Sequence, residues 1–222
     1  MRRRRWLAGG VVAACSALAQ LAPRAVRAAA TPSPGGEDTS GFLPLFPLGV
    51  VAFPGELVLL HVFEPRYKQL ITESAERGIG FGIVTIVPGG ASSVGTEMAL
   101  ERILQTHANG NMDVATRGVR VFRLHSFQRH VEGKLYSGGQ VSYTANDPSF
   151  EPELQGALVQ LYNGMKYRAG SREMMAAPYP ENLSFVIGHD VGLSRAEELQ
   201  LLTMPVERDR QKYLFEHLIQ TR

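Results

Sequence analysis

At Asp147-Pro148 the chain changes its periodicity, and this change limits the fold more than any other feature. Before it, apolar runs of strand length are cut by Pro and Gly. After it, apolar residues recur at helical spacing. A β-rich half followed by an α-rich half predicts an α+β chain in two subdomains, not an alternating βαβ fold. No internal repeat or low-complexity tract interrupts either half.

Within the first half, LPLFPLGVVAFPGELVLLHVF over 43–63 reads as short strands bounded by turns. Pro54-Gly55 suits a turn, because Pro presets φ and Gly accepts positive φ. The run over 56–63 is nearly all apolar, which predicts a well-covered strand. Pro65 then opens a helix in which Tyr67, Leu70, Ile71 and Ser74 share one face, and Gly78 ends it. A strand follows over 80–87, then a strand-rich meander over 95–145. Asn109-Gly110 marks a hairpin turn in it, and Glu132-Gly133 and Gly138-Gly139 mark further turns. Alternation is imperfect around Val119, Val121 and Phe122, as in a strand buried on more than one side, so a curved or closed sheet is expected.

In the second half Pro152 opens a helix with Leu154, Leu158, Leu161, Tyr162 and Met165 on one stripe. An irregular loop over 169–182 and a short apolar helix over 183–191 follow. Ser194 and Glu197 form a capping box for the next helix. Pro205 is expected to open the last one, with Val206, Tyr213, Leu214 and Leu218 facing inward.

The segment LPLFPLGVVAFPGELVLLHVFEPRYKQLI over 43–71 resembles the opening of the Lon protease N-terminal (substrate-binding) domain. FPL, FPG and FEPRY occur in order ahead of a helix. Further matches are Val94-Gly95-Thr96, the segment from Arg117 to Arg123, and Leu183-Ser184-Phe185 before the helical tail. The resemblance implies a PUA-like β-barrel subdomain over 42–147 and a C-terminal helical bundle over 148–222, both parts of one domain. It also implies a noncatalytic module that binds exposed or unfolded polypeptide. In full-length Lon this domain precedes an ATPase and a peptidase. No G-x-x-x-x-G-K-[ST] phosphate loop occurs in this sequence, so no enzymatic activity and no cofactor are expected.

The charge needs dividing before it is interpreted. The 222 residues carry 23 Lys+Arg and 21 Asp+Glu, for a net +2. Residues 1–36 hold six of the arginines and no acid, so the remainder stands at −4. Arg2 to Arg5, a diluted apolar stretch over 6–22 and Ala28-Ala29-Ala30 follow the three-part order of a secretory signal over 1–30. Arg4-Arg5 beside Trp6-Leu7 resembles a twin-arginine signal, and a Sec signal fits the same order. This predicts export to the periplasm. The alternatives are a lipoprotein anchored at Cys15, an organellar transit peptide, and a cytoplasmic protein with an overlong start. The segment over 31–41 is rich in Pro, Gly, Ser and Thr and reads as a flexible linker.

The candidate peptide-binding residues are Phe53, Phe63, Glu64, Arg66, Tyr67, Met174, Met175 and Tyr179. Glu64 and Arg66 flank Pro65 at a strand-to-helix junction, where they form either a polar rim or a local structural device. In the structural reading Glu64 favours the helix N-terminus and Arg66 ties down strand carbonyls. Phe53, Phe63 and Tyr67 equally suit a core. Met174, Met175 and Tyr179 beside Pro178 and Pro180 form an adaptable apolar loop.

The six histidines are scattered, without H-E-x-x-H spacing or a carboxylate-backed cluster, and no metal site is expected. Ser171, Ser184 and Ser194 lack a nucleophile-elbow context, and Ser194 is explained as a helix cap. A second functional class is an adaptor that docks a folded protein partner. A third is RNA binding by the PUA-like barrel, with Arg117, Arg120, Arg123 and Arg129 as a local patch. The −4 balance opposes it, because phosphate contacts need concentrated positive charge.

Overall fold

A computed structural model of the chain describes residues 40–220. The leader, most of the linker and Cys15 lie outside them. Six strands and five helices follow one another among the described residues. Strands β1 (Gly41–Leu48) and β2 (Leu57–Val62) precede helix α1 (Pro65–Arg77). Strands β3 (Phe81–Val87), β4 (Gly90–Thr106), β5 (Met112–Gln128) and β6 (Ser137–Tyr143) follow. Helices α2 (Pro152–Arg168), α3 (Leu183–Asp190), α4 (Arg195–Thr203) and α5 (Glu207–Gln220) complete the chain. The α+β expectation is borne out.

The sheet order is β2-β5-β4-β3-β1-β6, and β6 also pairs with β5. Five strands therefore close a ring, with β1 and β3 parallel and the other neighbours antiparallel. This is the closed sheet that the broken alternation around Phe122 predicts. β4 and β5 are 17 residues each, with register shifts along their pairing. Bulges of this kind bend a strand, so one half of each joins the ring and the other half projects from it. β2 pairs with the projecting part of β5, from Leu57 opposite Arg117 to Val62 opposite Met112.

The ring interior is small. Leu43, Leu45, Val84, Phe122 and Val141 fill it. A Cβ at Gly82 would stand 2.7 Å from the Phe122 ring, so the aromatic ring occupies the space that the glycine leaves. Gly138 and Gly139 correct an expectation for the same reason. They lie in β6 and form no turn, and side chains of Phe42 and of Leu124 and Leu45 fill the space above them.

Helix α1 covers the projecting sheet. Tyr67, Leu70 and Ile71 pack with Phe46, Phe81, Met98, Met112 and Val114. Gly78 caps the helix in the left-handed conformation, at φ 67°, with its N–H on the Ser74 carbonyl. Glu73 on α1 accepts hydrogen bonds from Lys134 at 2.7 Å and from the Tyr136 hydroxyl at 2.7 Å, which ties the helix to the β5–β6 connection.

The helices share one core with the barrel. Val51, Phe53 and Val94 pack among Leu158, Leu183, Phe185, Leu201 and Leu214. The capping box at Ser194 forms as expected, with both reciprocal hydrogen bonds present. The last helix begins at Glu207 and not at Pro205, because Val206 is drawn into a bridge with Asp147.

Gly118 joins the halves of this architecture. Its N–H donates to the Glu56 carbonyl at 2.9 Å, and the Gly55 N–H donates to the Gly118 carbonyl at 2.9 Å. A Cβ here would fall on the carbonyl of Phe53, with only backbone to yield. Gly118→Ala is expected to cost about 2–3 kcal/mol, as overpacking against fixed structure does. A urea titration checks this, and a loss below about 0.5 kcal/mol, the range of ordinary surface changes, would contradict it.

Candidate functional site

The strand expected to be well covered is not. β2 pairs on one side only, with β5, and its other edge has no strand partner among the described residues. Its inward residues Val58, Leu60 and Val62 pack toward α1. Its outward residues are Leu57 (48% exposed), Leu59 (65%), His61 and, just beyond the strand, Phe63 (59%). Apolar side chains of this size on a half-paired strand form a row that a second extended chain can lie against.

Phe63 leads into the α1 junction, where Glu64 and Arg66 pair at 2.7 Å. The Arg66 guanidinium lies 4.5 Å from the centre of the Tyr67 ring, and Tyr67 stacks on Phe46 at 3.7 Å between centroids. Arg66 thus acts on its own junction and not on strand carbonyls. Glu64 makes no side-chain cap of the helix. Burial pushes the Tyr67 hydroxyl above its ordinary pKa.

The eight residues expected to bind peptide fall in separate places. Phe63, Glu64 and Arg66 lie at the exposed end of β2. Tyr67 is buried beneath them. Phe53 is buried in the core shared by barrel and helices, stacked on Phe185 at 5.2 Å. Met175 and Tyr179 pack against that same core, and Met175 is held by both ends of the Asn163 amide at 2.8 and 2.9 Å. Met174 is exposed beside them. A shallow cleft runs between the Pro54–Glu56 turn and the α3 residues Phe185, Val186 and His189.

Sequence reasoning missed Leu57 and Leu59. The apolar run carries one signal of their position: His61 shares their parity, while Val58 and Val62 share the other. It also missed a carboxylate-backed histidine cluster. Asp113 accepts from His61 Nδ1 at 2.6 Å and from His107 Nε2 at 2.7 Å. These hydrogen bonds, that of His61 foremost, hold the Asp113 carboxyl below its usual range. The Asn109-Gly110 turn alone brings residues 107 and 113 near each other. Only the β2–β5 register adds His61, directly opposite Asp113.

The arginines of the suggested RNA patch are partly committed. Arg117 pairs with Glu101, and Arg120 donates to Glu97 at 2.7 Å while lying over the Tyr143 ring at 3.4 Å.

A closed five-strand barrel carrying an appended apolar strand, joined to a helical bundle through one core, defines an α+β domain of the barrel-and-bundle class. The chain belongs to the ATP-dependent protease La (LON) substrate-binding domain family, whose model matches residues 42–220. It is accordingly a substrate-binding module. Among solved structures it is similar to a Lon N-terminal domain protein from Xanthomonas campestris, at 28% identity and a TM-score of 0.63. That match covers 79% of this chain and 98% of the other. The N-terminal domain of Mycobacterium avium complex Lon protease is similar in fold, at 16% identity and a TM-score of 0.59, over 81% of this chain and 98% of that one. No curated protein sequence matches the chain. Among the described residues no helix is long and apolar enough to cross a membrane.

Proposed function

We propose that the protein is a noncatalytic module that binds exposed, extended polypeptide along β2. The supporting observation is the outward row of Leu57, Leu59 and Phe63 on a strand with one unpaired edge. An incoming segment adds main-chain hydrogen bonds to that edge, and its alternate side chains rest on the row. The Glu64–Arg66 pair borders the row at its polar end. Affinity is expected to be on the order of micromolar or weaker, because an unfolded chain loses conformational freedom when it is ordered.

Titration of the full-length protein with carboxymethylated, unfolded casein tests this, with a folded globular protein as control. Leu59→Lys is expected to weaken casein binding about tenfold, about 1.4 kcal/mol, with little change in thermal midpoint. Leu59 is already exposed, so its replacement leaves the core intact. Equal affinity for folded and unfolded proteins, or casein binding unaffected by Leu59→Lys, would overturn the proposal. Stoichiometric capture of one folded protein, with casein ignored, would favour the adaptor reading.

A further inference from the structure

The polypeptide surface leaves the histidine cluster unexplained. His61 is the next-to-last residue of β2, Asp113 the second of β5, and His107 stands at the start of the turn that joins β4 to β5. Three chain segments thus deliver two imidazoles and a carboxylate to one point. One ligand atom from each lies within 4.8 Å of the others. The carboxylate bridges the two rings, whose centroids are 5.7 Å apart and whose planes are steeply inclined. All three side chains are partly open to solvent, so an ion has a path to them.

We propose that His61, His107 and Asp113 form a binding site for a divalent transition-metal cation of the zinc class. Two imidazole nitrogens and one carboxylate oxygen are a donor set that such ions prefer, and three protein ligands leave the remaining position to water. Each imidazole nitrogen now stands on a different oxygen of the Asp113 carboxylate, His61 Nδ1 at 2.6 Å from Oδ1 and His107 Nε2 at 2.7 Å from Oδ2. Around an ion with bonds of about 2.0–2.1 Å, tetrahedral neighbours are about 3.3 Å apart. Each nitrogen–oxygen pair has to open by roughly 0.6 Å while the carboxylate turns to offer one oxygen to the ion, both within the reach of side-chain rotation at partly exposed groups.

The protons also balance. The Asn111 amide nitrogen lies 3.4 Å from His61 Nε2. With that nitrogen accepting, His61 Nδ1 carries the proton and donates to Asp113. Coordination through Nδ1 transfers the ring proton to Nε2, and a half-turn of the Asn111 amide presents its oxygen to that N–H. A second hydrogen-bonding group that fixes the tautomer of a ligating imidazole is a usual part of such sites. His107 coordinates through Nε2 in the same way, with its proton moving to Nδ1.

Calorimetric titration of the full-length, untagged protein with Zn²⁺ in a non-coordinating buffer tests the site. One equivalent is expected to bind with a dissociation constant on the order of micromolar or tighter. His61→Ala, His107→Ala and Asp113→Asn are each expected to weaken it about tenfold or more. His125→Ala, which removes a histidine paired with Ser142 elsewhere on β5, should leave it unchanged. With Co²⁺ as the probe, the wild type should develop the visible absorption of a four-coordinate ion, and the His61→Ala/His107→Ala variant should not. Thermal midpoints of the variants report that each is folded. Zn²⁺ titrating the wild type and the double variant alike, or failing to bind the wild type, overturns the assignment.

Discussion

Glu207→Ala is expected to remove about 3–5 kcal/mol of stability, because it leaves a buried guanidinium without its counter-charge. Glu207 and Arg210 are each 1% exposed. One Glu207 oxygen accepts from the Ser184 N–H at 2.8 Å and from the Gln211 amide at 2.9 Å. The other accepts from the Ser184 hydroxyl at 2.6 Å and from Arg210 at 2.7 Å. Arg210 also donates to Ser184 Oγ, to the Met204 carbonyl and to Asn146 Oδ1, at 2.7–2.8 Å, and lies 4.4 Å from the Phe185 ring centre. One ion pair therefore ties α5 to the start of α3 and to the β6–α2 connection.

Removing Glu207 alone strands Arg210 and the Ser184 N–H in a site that water does not reach. For a domain of this size the thermal midpoint should fall by roughly 6–20 °C. The paired replacement Glu207→Leu with Arg210→Met should cost much less, since replacing a buried ion pair by apolar groups of similar volume is often nearly neutral. A double-mutant cycle by urea unfolding measures the coupling. A loss below about 1 kcal/mol in Glu207→Ala would show that the network carries little.

The second large effect is expected at Phe53. Phe53→Ala should cost about 3–5 kcal/mol, the range for deleting a buried aromatic side chain and leaving a cavity. Phe53 is 1% exposed, contributes to the core that barrel and helices share, and stacks on Phe185. Phe63→Ala should change stability by no more than about 0.5 kcal/mol, because that ring faces solvent. Casein affinity should show the opposite order: weakened in Phe63→Ala, and unchanged in Phe53→Ala at a temperature where that variant is still folded. Chemical unfolding and the casein titration together separate the two roles. A tolerated Phe53→Ala with impaired binding would move the site to the cleft beside α3.

The two phenylalanines also show how far local reasoning reaches. Both sit among apolar neighbours within two residues of a proline, Phe53-Pro54-Gly55 and Phe63-Glu64-Pro65, and in the sequence both suit a core. One is buried because the turn that follows it is pinned to Gly118. The other is exposed because β2 has no second neighbour. The same holds for charge. Ser184, Glu207 and Arg210 look unremarkable in the chain, since the serine precedes the ion pair by more than twenty residues. His61, His107 and Asp113 are scattered until the β2–β5 register aligns them.

By itself the sequence determined the kinds of element, their order, the helix stop at Gly78, the helix start at Ser194, and the family. These depend on φ preferences, capping and periodicity, which act within a few residues. Only the tertiary structure decided that β6 closes the ring onto β5, that β2 stays half-paired, and that three distant polar side chains meet beside it. Each depends on which strand acquires a second neighbour and in what register. The runs on β2 and β3 are similarly apolar, yet the interior strand is covered and the edge strand offers half its side chains to solvent.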